Sequence, residues 1–397
     1  MPKFEPFRGL RYGTRTSTDV SHLTSPPYDV FDEQTRDSYA ANEEHNIVMI
    51  DYPVERDGEN RYELAAQMLH SWIQESVLVL DDAPSFYIYR MTFIDETGTT
   101  RTTVGVLGAL EVVDVGSGGV LPHEQTTPKA KTDRLDLTRA TRANLSPVWG
   151  LSLNQGLTEL LADRGTEVAR CTDEQGVVHV VERVDESVRL TRIAECVASK
   201  PVLIADGHHR YAISRTYRDE VSGTPHATGA GSTLTYVAEL VEEQLSIAAI
   251  HRLYSAISPD QLQRALGRHF TLSDAGTVDA STLAEMLSRG ALCLVRPDGQ
   301  GHFLTPMMTT FEGVRDLDSA RLEHALRDVD HNVSYQHGVN DVMHALHEGR
   351  CSAAVLIRPV SIDQIRHVAD SGELMPPKST FFTPKLRTGL VMRPLDT

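Results

Sequence analysis

Asp206-Gly207-His208-His209-Arg210-Tyr211 sets an acid, two imidazoles and a guanidinium directly behind the apolar run Pro201-Val-Leu-Ile-Ala205. A short apolar run followed by such residues reads as a buried strand feeding a helix N-terminus. Gly207 lets the backbone turn tightly and approach a ligand. The free N–H groups of the helix's first turn, together with Arg210, then make an anion-binding corner whose expected guest is phosphate. Asp206 as a plain N-cap and the histidines as ordinary helix-start residues would explain each position singly, but not the whole cluster behind one strand.

A second group is basic. Lys129, Lys131, Arg134, Arg139 and Arg142 outnumber Asp133 and Asp136 in a chain that is otherwise acidic. At helical spacing Arg134, Thr138 and Arg142 share one face, which would attract a nucleotide or an anionic substrate; a solvated helix face is the competing reading. The tail supplies Lys378, Ser379 and Thr380. Gly372 to Ser379 comes close to a phosphate-binding P-loop, but Pro377 stands where the second glycine belongs, removing an N–H and fixing φ, so that reading is rejected. Pro26-Pro-Tyr-Asp29 is expected to form a turn that places Tyr28 and Asp29 near the cleft. His123, Glu124, His208 and His209 lack the spacing of a zinc site, and no metal ligands are assigned.

The elements that must position these residues read as mixed α/β. Ser25 to Val30 is extended by its prolines, and Ile47 to Ile50 reads as a short strand. A helix is expected from Tyr62 to Leu78, with strands at Phe86 to Phe93, Thr103 to Val113, Val177 to Val184 and Leu234 to Glu239. Another helix is expected from Thr132 to Asn144. Gly116-Ser-Gly-Gly119 reads as a connector between parts. Further helices are expected at Pro259 to His269, Asp279 to Ser288 and Ile362 to Ala369, and a strand at Ala353 to Ile357. The expected division is 1–115 (N-terminal α/β part), 120–250 (core) and 251–397 (C-terminal α/β part).

Composition narrows the function classes. The 397 residues suffice for two or three domains, and 40% hydrophobic residues is ordinary for globular protein. A net charge of −17 argues against coating nucleic acid, which demands neutralising Lys and Arg. The four cysteines show no CxxC pattern and read as thiols in a reducing compartment. With neither a signal-like apolar start nor a membrane-length apolar run, a cytoplasmic location and no membrane partner are expected.

Asp206-Gly-His-His-Arg-Tyr211 resembles the Gly-x-His-Arg or Gly-x-x-Arg signature of the ParB/sulfiredoxin superfamily, in which the loop and helix start hold nucleotide phosphates. That superfamily includes sulfiredoxin, the ParB partition proteins and free serine kinases, which phosphorylate L-serine with ADP or ATP. Over nearly its whole length the chain also resembles a prokaryotic family of unknown function, DUF1015. The matching segments are Pro6 to Tyr12, Pro26 to Val30, Pro122 to Thr126, Asp133 to Leu135, Arg139 to Pro147, Asp206 to Tyr211 and Met375 to Phe382.

The superfamily resemblance implies a nucleotide-binding core at 120–250 and a nucleotide-dependent phosphotransferase acting on a small hydroxylated metabolite, L-serine first. By that resemblance Glu124, beside His123, matches the glutamate that serves as general base, with an insertion between it and Asp206. A kinase of an alcohol needs such a base, cations on the transferring phosphoryl and usually Mg²⁺, here with ATP or ADP. The catalytic residues are then Glu124, Asp206 and His208, and the phosphate or nucleotide residues Gly207, His209, Arg210, Arg134, Arg142 and Lys378. The alternative is a nucleotide-binding switch or regulatory protein without turnover.

Overall fold

Phe86, Tyr87, Ile88 and Tyr89 are all buried, so the strand that carries them is covered on both faces rather than on one. It belongs to the larger of two main sheets in a computed structural model that describes residues 1–13, 18–58, 60–95, 98–122, 131–372, 374–376 and 378–396. The strands of this sheet are β1 (Phe4–Glu5), β2 (Phe86–Ile94), β3 (Thr100–Glu111), β4 (Val120–Pro122), β5 (Val148–Ser152), β6 (Thr166–Thr172), β7 (Val178–Val184), β8 (Val202–Asp206) and β9 (Ser232–Glu239). Their order is β4-β8-β5-β9-β3-β2-β7-β6, with β1 added on β3. Two pairings, β4 with β8 and β5 with β9, are parallel and the rest antiparallel, so the sheet is mixed and the protein is α/β in class.

Helices that serve this sheet are α1 (Glu33–Asn42), α2 (Val48–Asp51), α3 (Arg61–Gln74), α4 (Lys131–Thr141), α5 (Ser187–Ala198) and α6 (His208–Glu220). Ile193 and Val197 of α5 pack with Phe86, Ile88, Val106, Val202 and Ile204 in one apolar cluster. Each such fully buried side chain contributes roughly 1.5–3 kcal/mol. The C-terminal strand Arg393–Pro394 pairs with Ala143–Asn144, tying the end of the chain to the residues just after α4.

The chain divides into two compact units, Met1–Ser246 with Pro384–Thr397, and Ile247–Thr383. Strands from both sides of the connector Gly116–Gly119 share the larger sheet, so that glycine run is a loop inside the first unit rather than the boundary at 115–120 expected from the sequence. Hydrogen-bonded neighbours need not be neighbours in sequence, and β3 and β4 are separated in the sheet by three other strands. Ile47 to Ile50 is not a strand. Asn46 donates from its amide to the carbonyls of His22 (2.7 Å) and Thr24 (3.2 Å), accepts from the Val48 N–H (3.0 Å), and so starts the helical turn α2. Four apolar residues in a row carry no periodicity that separates the two outcomes.

The second unit holds β10 (Ile250–Ser255), β11 (Phe270–Thr277), β12 (Leu292–Val295), β13 (Gln300–Pro306), β14 (Asn332–His337) and β15 (Ala353–Leu356) in the order β11-β13-β12-β15-β10-β14. Its helices are α7 (Pro259–Leu266), α8 (Thr282–Arg289), α9 (Asp318–Leu326), α10 (Val339–His347) and α11 (Ile362–Ser371). Strand alternation sorts the core: Leu292 and Leu294 pack with Leu262, Leu266, Leu322 and Leu326, whereas Cys293 and Val295 pack with Met286, Val342 and Leu346. The helix starts are written locally, since Ser258 with Gln261 and Ser361 with Gln364 each form a reciprocal capping box. No helix among the described residues is long and apolar enough to cross a membrane.

Candidate functional site

Val202, Leu203, Ile204 and Ala205 are buried, and β8 ends on Asp206 beside Trp149 after a register shift. Gly207 then takes φ +82°, the left-handed region that favours glycine, and α6 begins at His208. A Cβ on Gly207 would also stand 3.2 Å from the Arg210 guanidinium carbon and 3.3 Å from the Val148 Cα, so a side chain there would push its neighbours aside by a few tenths of an ångström. Tyr211 anchors the first turn of the helix. Its N–H donates to the Gly207 carbonyl (3.0 Å), and its hydroxyl donates to the Glu111 carbonyl (3.2 Å) while accepting from the Val113 N–H (2.8 Å).

Asp206 is gripped from two sides. Lys385 Nζ and Arg210 Nη2 each lie 3.4 Å from its Oδ2. Burial works against ionisation here, but Lys385, Arg210 and His208 outweigh it and hold the carboxyl below the usual carboxylate range. Arg210 Nη1 donates to the Pro147 carbonyl, and its Nε is buried without a hydrogen-bond partner among the described residues. Burial alone would lower the Arg210 pKa; Asp206, Asp29, Tyr28 and Asp51 reverse that and keep the guanidinium charged.

Arg210 also lines a cavity of about 50 Å³ with mixed polar and apolar walls, shared among others with Tyr28, Asp51, Arg134, Ser146 and Ser214. Arg134 is buried against it. Its guanidinium sits 4.1 Å over the Tyr28 ring, donates to Asp133 (2.8 Å) and to the Asp51 carbonyl, and lies 3.7 Å from the Asp51 carboxylate. Burial raises the Asp51 pKa despite the pull of Arg134 and Arg210. Burial, with Asp29 adding to it, pushes the Tyr28 hydroxyl up to about 12. A space of this size holds water-sized groups, whereas pockets for whole ligands run to about 300–1,000 Å³.

Asp206, Gly207, His208, His209 and Arg210 therefore form one strand-turn-helix corner, and Arg134 shares a cavity with Arg210. Thr138 lines the same cavity, but Arg142 does not. Helix α4 stops at Thr141, and Arg142 adopts φ +46°, leaves the helical face and pairs with Asp396 at 3.1 Å. Lys378 lies in the second unit, where its carbonyl accepts from Arg252 Nη1 at 3.0 Å. Glu124, with His123 and Lys129, falls outside the described residues; the preceding Pro122 pairs with Ile204 on β8.

Lys385, Asp51 and Ser146 were not singled out as site residues by sequence reasoning. Lys385 lies in the same tail as Lys378, and nothing in its sequence neighbours marks it over Lys378. Asp51 directly follows the misread run at 47–50. Ser146 and Pro147 lie in the segment Arg139 to Pro147 that matched the family pattern. The expectation for Pro26 to Asp29 holds to the extent that Tyr28 lines the cavity and Asp29 acts electrostatically on Arg210.

Fold and site together define a two-unit α/β protein with a charged strand-turn-helix corner in its first unit. Residues 4–321 match the family described as a protein of unknown function, DUF1015, and the chain belongs to that family. Solved structures that are similar include a conserved hypothetical protein from Pyrococcus furiosus, at 12% identity over 68% of this chain and 92% of that one with a TM-score of 0.36. A free serine kinase in complex with AMP is 13% identical over 68% of this chain and 89% of its own, with a TM-score of 0.37. SbnI with a C-terminal truncation, from Staphylococcus aureus, is 14% identical over 73% and 87%, with a TM-score of 0.39. None of the curated proteins compared with the sequence matches it.

Proposed function

We propose that the first unit is a nucleotide-dependent phosphotransferase with a ParB/sulfiredoxin-like core, acting on a small hydroxylated metabolite, with L-serine the first candidate by motif resemblance. The observation that carries this reading is the corner at Asp206, where two cations, Lys385 and Arg210, converge at the start of α6. Oriented cations at a helix start are what a transferring phosphoryl group requires, because phosphoryl transfer rests on positioning and charge stabilisation. His208, His209 and Arg210 form the clamp, and Glu124 is assigned as the base. Asp206 is too firmly ionised to act as an acid and is the partner of the substrate hydroxyl or of a metal.

Magnesium with ATP or ADP fits this donor set in a limited way. No group of three or more His, Cys, Asp or Glu that could hold a metal ion exists among the described residues. A Mg²⁺ ion would rely on Asp206 and on phosphate oxygens and water, its ordinary mode in nucleotide sites. A second reading, nucleotide binding without turnover, rests on the same corner, since the two cations at Asp206 Oδ2 can hold phosphate without a base.

Phosphorus NMR of the purified protein with Mg²⁺, ATP or ADP, and small alcohols led by L-serine tests both readings. A new phosphomonoester signal that Glu124→Ala abolishes supports the kinase. Broadened nucleotide lines without product support the switch, and unchanged spectra overturn both. His209→Ala should weaken nucleotide binding, while Glu124→Ala should spare it.

A further inference from the structure

The sheet of the second unit has two edges, and they are built differently. Strand β11 on one edge carries Asp274 and a register shift between Asp274 and Gly276. Charges and bulges of this kind keep another strand from docking. Strand β14 on the other edge has neither. Its register against β10 runs unbroken from Ile250↔His337 to Ser255↔Asn332. Asn332-Val-Ser-Tyr-Gln-His337 holds no proline, and residues 331–340 contain no Asp, Glu, Lys or Arg in a chain of net charge −17.

This edge is also uncovered and braced. Every residue of β14 except Gln336 is exposed, with Val333 at 39% and Tyr335 at 42%. The Arg252 guanidinium lies 5.0 Å over the Tyr335 ring and donates to the Lys378 carbonyl. The His337 ring stacks on Phe381 with centroids 4.5 Å apart. Lys378 and Phe381, from a motif the phosphate corner leaves unused, thus help to hold an extended strand that has no neighbouring strand on its outer side among the described residues. A fixed, uncharged, exposed edge is a template for strand addition.

The geometry points to β14 as a homodimer edge, in which a second copy of this chain adds its own β14 antiparallel across a twofold axis. A twofold perpendicular to the sheet keeps each face on its own side, so Val333, Tyr335 and His337 of the two strands meet one another with no like charges opposed. Two copies of so acidic a chain repel, and the charge-free run at 331–340 lets this edge meet its own copy without adding like charges at the seam.

Sedimentation velocity of the full chain over a concentration series tests this, with Val333→Glu as the variant because its side chain is exposed and both copies would bring the charge together. The expected result is a mass that doubles with concentration, and a dissociation constant at least tenfold weaker in the variant with an unchanged circular dichroism spectrum. Should the variant lose structure, hydrogen exchange of the wild-type amides at 332–337 replaces it, and these should slow as concentration rises. A monomer at every concentration overturns the proposal. So does a doubled mass unaffected by a folded Val333→Glu, or exchange at 332–337 that ignores concentration.

Discussion

Lys385 Nζ stands 3.4 Å from Asp206 Oδ2, although the whole second unit lies between them in the chain. This contact joins the segment Pro384–Thr397 to the corner at the start of α6. It makes Lys385, rather than Lys378, the lysine seen to act on the Asp206 carboxylate.

Lys385→Met should therefore raise the Asp206 pKa toward the ordinary carboxylate value and weaken nucleotide binding about tenfold, the scale of one charge-assisted hydrogen bond. Calorimetric titration with ATP checks the second effect. An affinity equal to that of the wild type would remove Lys385 from the phosphate corner.

Gly207→Ala should fail for two reasons that add. A left-handed backbone costs a non-glycine residue roughly 1–2 kcal/mol. The new Cβ would also press on the Arg210 guanidinium at 3.2 Å and on the Val148 backbone at 3.3 Å. Lower thermal stability together with loss of nucleotide binding is the expected pair of results, read by a melting curve and a titration on the same sample.

Arg134→Met strips the buried Asp51 of its nearest cation and should destabilise the first unit by about 3–5 kcal/mol, as for other broken buried pairs. Adding Asp51→Asn to Arg134→Met removes the stranded charge and should recover part of the loss. Urea unfolding of the two single variants and the double closes the cycle; strict additivity would show that the two groups do not interact.

Burial, aided by Arg252 and His337, pushes the His251 imidazole down to about 3. Its Nδ1 accepts the Ile357 N–H at 3.2 Å, which only the unprotonated nitrogen can do. The unfolded chain binds a proton below about pH 6.5 that the native chain refuses. This group thus leaves stability untouched above that value, and takes it away as pH falls from there toward about 3. The slope reaches about 1.4 kcal/mol per pH unit. His251→Gln, which keeps an acceptor, should flatten the acid limb of stability measured by urea unfolding between pH 7 and 4.

The strand and helix around Asp206 were legible because an apolar run, a glycine and a polar helix start follow one another locally. Likewise, the apolar run at 353–356 and the capping serines at 258 and 361 announce their elements. What the sequence did not reveal depends on distant partners. Asp51, Ser146 and Lys385 reach the Arg210 region through pairings no local pattern encodes. Arg142 was misplaced by a single residue, since helical spacing holds only as far as Thr141. The connector at 116–119 looked like a domain break because glycine signals a turn and says nothing of which sheet the next strand joins.

The return of Pro384–Thr397 to the first unit sets an order of assembly. Synthesis runs from the N-terminus, so the ribosome makes β1 to β9 and then all of the second unit before Lys385 exists. Until then Asp206 lacks its lysine and Ala143–Asn144 lacks the strand Arg393–Pro394. A chain terminated before residue 385 therefore emerges with its charged corner incomplete.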